Sequence, residues 1–152
     1  MSYFPKYTAV VTISAAQIKT LFSAPVLLVQ GKTGCIVDIK SLILVYHAGS
    51  VAFNPSGDDI LGAITGSLPN SFLATGFFAA GFCDQHSDQI NWIENWWDPG
   101  NGNGSNLPLS DVIGSGIYLF QYNVGDVWPG GANWTLGNGT FTAYIEYTYI
   151  VA

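Results

Sequence analysis

The run Phe141-Thr142-Ala143-Tyr144-Ile145-Glu146-Tyr147-Thr148-Tyr149-Ile150-Val151 decides the fold class. Successive side chains of an extended strand point to opposite faces. One face then carries Phe141, Ala143, Ile145, Tyr147, Tyr149 and Val151, and the other Thr142, Tyr144, Glu146, Thr148 and Ile150. This is the pattern of a half-buried antiparallel strand.

Working back from it, Trp134 to Leu136, Ile117 to Tyr122, Leu107 to Ile113, Gln89 to Trp97, Cys35 to Tyr46, Val26 to Val29 and Val10 to Ile13 are further strand candidates. Glycine-rich or proline-rich turns divide them, among them Gly31-Lys32-Thr33-Gly34, Gly114-Ser115-Gly116 and Pro129-Gly130-Gly131, with a loop from Asp98 to Gly104. Cys35 to Tyr46 is long and mostly apolar on both faces, so neighbours must cover it twice. Residues 47–81 are less periodic, with turn signals at Asn54-Pro55-Ser56-Gly57 and Ser67-Leu68-Pro69-Asn70 around an apolar run from Ile60 to Ile64. Ser14-Ala15-Ala16-Gln17 has the form of a capping box and predicts a helix of two turns, with Ile18, Leu21 and Phe22 on one face and Pro25 ending it. The expectation is an all-β protein. Residues 1–152 form a single antiparallel β-sandwich, a jelly-roll domain of about eight strands with one short helix near the N-terminus.

Charge narrows the function. The 152-residue chain has four lysines (Lys6, Lys19, Lys32, Lys40), no arginine and ten carboxylates, for a net charge of −6. Phosphate contacts need clustered Lys and Arg, so nucleic acid is excluded as a partner, and anionic membrane surfaces are disfavoured on the same ground. No apolar run approaches the ~20 residues that span a bilayer, and Met1 to Ala16 lacks the charged start and unbroken apolar stretch of a signal peptide, so synthesis in a cytosol is expected. Charged residues make up 9% of the chain, against about 25% in ordinary soluble domains. A surface this poor in charge is expected to be covered by copies of the chain itself or by a protein partner.

Candidate chemistry is thin. Cys83-Asp84-Gln85-His86-Ser87-Asp88 packs a nucleophile, a base and carboxylates into six residues, but neighbours in an extended segment point apart, so a structural turn is the expectation. Asp58-Asp59, Asp84 with Asp88, and Asp98 with Asn101 and Asn103 do not follow a calcium-loop pattern and read as solvated loops. His47 and His86 stand far apart with no cysteine pair, so no metal site is expected, and Gly100-Asn101-Gly102-Asn103-Gly104 cradles no phosphate. Cys35 and Cys83 read as buried free thiols, with a single bridge between them as the alternative. Asn103, Asn133 and Asn138 open glycosylation sequons that lack a secretory route. No catalytic residue, cofactor or metal is assigned. The strongest signal is Trp92-Ile93-Glu94-Asn95-Trp96-Trp97-Asp98: on a strand Trp92 and Trp96 share one face and Trp97 takes the other, so at least one ring should leave the core. Trp92, Trp96, Trp97 and Trp128 are the candidates for a subunit interface or for stacking a sugar.

Val10-Val11-Thr12-Ile13-Ser14-Ala15-Ala16-Gln17-Ile18-Lys19 and Ala24-Pro25-Val26-Leu27-Leu28-Val29 belong with Gly81-Phe82-Cys83-Asp84-Gln85, Asn106-Leu107-Pro108-Leu109 and Gly137-Asn138-Gly139-Thr140-Phe141-Thr142 in a wider pattern. It spans most of the chain and resembles a group of small structural proteins of tailed bacteriophages. The resemblance implies a short jelly-roll protein of the virion, a capsid decoration or cement protein. Such a protein would be a homotrimer, made in the host cytoplasm, that binds the major capsid protein on the outer face of the shell. The segment from Trp92 to Asn106 is richer in Trp and Gly than that group's pattern. The competing expectation is a carbohydrate-binding or receptor-binding module of a head or tail fibre.

Overall fold

The computed structural model describes residues 4–65, 72–93, 109–123 and 130–152. Among them the chain runs β1 (Lys6–Ile13), α1 (Ala15–Lys19), β2 (Val26–Val29), β3 (Cys35–His47), β4 (Asp59–Thr65), β5 (Phe72–Phe78), β6 (Gln89–Ile93), α2 (Leu109–Val112), β7 (Ile117–Asn123) and β8 (Thr140–Val151). The eight strands form two four-stranded sheets, ordered β1-β8-β3-β6 and β2-β7-β4-β5. Their ladders are antiparallel and nest: β1 pairs with β8, β2 with β7, β3 with β6 and β4 with β5. The pairings β3 with β8 and β4 with β7 then join these pairs into sheets. The all-β sandwich is as expected.

Its core lies between the sheets. Ile13, Leu42, Leu44, Phe141, Ala143 and Ile145 of the first sheet meet Val29, Leu61, Ala63, Ile117 and Leu119 of the second, all buried in one cluster. Tyr46 sits among Phe53, Phe82 and Phe141 at ring-centre distances of 6.1, 5.9 and 5.9 Å. Its hydroxyl donates to the Gln85 carbonyl, which gives the buried phenol a partner.

The alternation read from β8 holds through its first half, where Phe141, Ala143 and Ile145 are buried. In β3 the register shifts between Ile39 and Ser41. Before it Cys35, Val37 and Ile39 are buried; after it Leu42, Leu44 and Tyr46 are. One extra residue turns odd inward positions into even ones, which is why this strand reads as apolar on both faces.

The Ser14 box closes in both directions, Gln17 N to Ser14 Oγ at 3.3 Å and Ser14 N to Gln17 Oε1 at 2.9 Å. The helix it starts is shorter than expected, five residues, because Thr20 caps it and turns back its Oγ1 to the Ala16 carbonyl. Ile18 and Leu21 still plug the core.

Three expectations are corrected. Leu109–Val112, inside the expected strand from Leu107 to Ile113, is a helical turn, bracketed in sequence by Pro108 and by Gly114 at φ 75°. Trp134 to Leu136 joins no ladder: Trp134 N donates to the Lys19 carbonyl, and Thr135 N and Leu136 N both donate to Asn54 Oδ1. A side chain thus replaces the neighbouring strand. Phe72–Phe78, not expected as a strand, pairs with β4 with Gly76 opposite Gly62. A Cβ on Gly76 would meet the Leu61 carbonyl at 2.8 Å, so the close approach itself requires glycine.

Candidate functional surface

The cross-strand register places four apolar residues in one row over the outer face of the first sheet. Val10 pairs with Tyr144, Tyr144 with Ile43, and Ile43 with Trp92, so the row crosses all four strands. The next row outward is Thr12, Thr142, Val45 and Ile90. Their sequence neighbours Ile13, Leu44, Ala143 and Ile93 are buried in the core, so alternation turns these two rows to the outside. Val10 is 64%, Trp92 55%, Ile90 50% and Tyr144 45% exposed, a contiguous apolar patch rather than scattered single residues.

Among the described residues, charges lie at the two ends of the patch. At one end Lys6 Nζ meets Glu146 Oε1 at 3.1 Å, and Lys40 pairs with Asp38. At the other His47 Nδ1 stands 3.7 Å from Asp88 Oδ2, while His47 Nε2 lies 3.1 Å from Thr142 Oγ1. Exposed pairs of this kind contribute little to stability. They mark the border of the apolar zone.

Of the four tryptophans singled out in the sequence, Trp92 is exposed, so at least one ring has left the core; Trp96, Trp97 and Trp128 lie outside the described residues. Val10, Ile43, Ile90 and Tyr144 complete the patch, and none of them was among the residues expected at an interface. Tyr144 was visible among the polar residues on the second face of the C-terminal strand. The register that sets Val10 and Ile43 beside it was not.

The fifth tryptophan, Trp134, is buried and opens on a cavity of about 220 Å³ lined by Asn54, Ser56, Asp59, Asn123, Gly131, Ala132 and Asn133. Asp59 is 5% exposed, which corrects the reading of Asp58-Asp59 as a wholly solvated loop. Its carboxylate accepts from Ser56 N at 2.7 Å, Trp134 Nε1 at 2.8 Å and Asn123 Nδ2 at 2.9 Å. Asn123 Nδ2 also reaches Ser56 Oγ, Asn133 is bonded to Ser23, and Asn54 to the backbone of residues 135 and 136. These groups are turned to one another, so the cavity is a latch that ties the segment before β8 to the start of β4. A buried carboxylate needs such donors to offset its lost hydration.

The Cys83 segment is the structural turn its sequence suggests. Gly81 N and Gln85 Nε2 both donate to Asp84 Oδ1 at 2.7 Å, and Ala48 N donates to Asp88 Oδ1 at 2.8 Å. Cys83 and Cys35 are free and buried, so the alternative of a bridge between them is set aside. Burial, with the Asp84 charge second, holds the Cys83 thiol well above its ordinary range, the opposite of what a nucleophile requires. Among the described residues no three His, Cys, Asp or Glu side chains gather into a group able to hold a metal ion. No family model, curated protein or solved structure matches this chain.

Proposed function

We propose that this chain is a non-enzymatic structural protein of a tailed-bacteriophage virion, a homotrimeric decoration or cement protein that binds the major capsid protein on the outer face of the shell. The observation that carries the reading is the apolar row Val10-Tyr144-Ile43-Trp92, which equips the sandwich for protein contact and has no counterpart in a built catalytic centre among the described residues. Two further points support it. The nested pairs, first strand with last and so inward, support the jelly-roll reading of the sandwich, a fold used in viral capsid domains. The resemblance of residues 10–19, 24–29, 81–85, 106–109 and 137–142 to phage structural proteins points the same way.

A cement protein acts by mass action. It binds the assembled lattice but not the separated subunits, so it stabilises the lattice. Each trimer touches several capsid subunits, and weak patches combine through effective concentration. The test heats particles with and without the protein while a DNA-binding dye reports genome release. The reading expects release at a higher temperature from decorated particles, with the protein retained at about 0.5 M salt, since screening removes mainly exposed charge terms. Equal release temperatures refute it.

One observation favours a second reading, a carbohydrate-binding or receptor-binding module: the indole of Trp92 is exposed, as a sugar-stacking ring must be. Binding of one glycan class on an array, lost in Trp92→Ala with folding intact, would put that reading first.

A further inference from the structure

We propose that the outer face of the β1-β8-β3-β6 sheet is a two-fold contact between two copies of this chain, an assignment that names the occupant of the face on which the virion reading rests. The argument rests on how the face matches itself. Consider an axis midway between two such sheets and parallel to their strands. Rotation about it lays the β1 edge of one copy over the β6 edge of the other. Val10 then faces the partner subunit's Trp92, and Ile43 faces the partner subunit's Tyr144, so each smaller side chain of the row meets a larger one. In the second row Thr12 faces the partner subunit's Ile90. Self-complementarity of this kind is what an isologous interface requires.

With this axis the end bearing the Lys6–Glu146 and Lys40–Asp38 pairs lies over its own counterpart, acids and bases mixed on both sides, and Glu146 of one copy lies over the bulge of the other, where Ser41 pairs with Glu146. The other in-plane axis, running along the row, sets the Trp92 rings against each other and leaves Val10 facing Val10. It also folds the end bearing the Lys6–Glu146 and Lys40–Asp38 pairs over the end bearing His47 and Asp88.

The size is sufficient. The four most exposed residues offer on the order of 450 Å² per copy, near the largest patches found on ordinary monomers. Doubled across the contact, this is about 900 Å², and the exposed Thr12 with the partly exposed Ile43, Val45 and Thr142 between them bring the face to the roughly 1,000 Å² that a specific interface must clear. A trimer would use other surfaces of the chain, and the two-fold contact would join chains of neighbouring trimers.

Val10→Cys and Trp92→Cys chains provide the test, since both positions are exposed and the native thiols are buried. Each variant is treated with a short thiol-to-thiol crosslinker alone and after mixing with the other. The proposal expects covalent dimer from the mixture and none from either variant alone. Its absence from the mixture overturns the proposal. So does dimer from Val10→Cys alone, which would mean the axis along the row. Neither failure touches the heating test of decorated particles, so the two claims stand or fall separately.

Discussion

Trp134 Nε1 donates a 2.8 Å hydrogen bond to Asp59 Oδ2 inside the sandwich, joining the segment before the last strand to the start of β4. A hydrogen bond to a buried charged group contributes about 1.5–3 kcal/mol, and removing one donor leaves the carboxylate underpaired. Trp134→Phe keeps an aromatic ring and loses the donor. It is expected to lower stability by about 2 kcal/mol, which is about 5 °C in Tm for a domain of this size. Thermal unfolding followed by circular dichroism measures it, and an unchanged Tm would show the latch to be ornamental.

Gln121 sits on β7 opposite Leu61, 1% exposed, and its Nε2 has no hydrogen-bond partner among the described residues. An unsatisfied buried donor costs about 1–3 kcal/mol, and methionine has nearly the same shape without it. Gln121→Met is therefore expected to stabilise the fold by about 1 kcal/mol in urea unfolding. A loss of stability would mean that the amide is held by a bound water.

Alkaline conditions should weaken the fold. The Cys83 thiol is raised from its ordinary 9.0 by burial and then by the Asp84 charge, and burial also raises the Tyr46, Tyr122 and Tyr149 phenols. Above pH 9 the unfolded chain gives up the thiol proton while the folded chain keeps it. The native state then holds more protons, so stability is full below that pH and falls as pH rises. The thiol's share is about 1.4 kcal/mol per pH unit. Cys83→Ala should flatten the decline from about pH 9 upward, with the tyrosine phenols adding their own share as the pH nears 10. An identical slope in the variant would contradict the assignment.

Local signals in the sequence carried a large part of this architecture. Ser14 and Gln17 form the box their spacing announces, and Phe141, Ala143 and Ile145 are buried in the order their alternation dictates. What stayed hidden depends on partners distant in sequence. Thr135 and Leu136 look like a strand, yet Asn54 takes their backbone donors. Asp59 looks solvated until Trp134 reaches it. Gly62 and Gly76 interrupt two strands whose backbones approach closely, so β5 carries little alternation of its own. For the candidate surface, period two showed that at least one of the Trp92, Trp96 and Trp97 rings leaves the core, and Trp92 is exposed. The row it belongs to arises from register across three ladders, which no local window contains.

The central claim is that this chain works through its exposed sheet face. The most direct measurement is the solution mass of the full chain by light scattering across micromolar concentrations, beside Tyr144→Lys, which puts a charge at an exposed position in the middle of the row. The account predicts an assembly of several chains for the natural protein, and a lower mass at the same concentration for the variant with its Tm unchanged. A single-chain mass for the natural protein, or the same assembly in both, would contradict it.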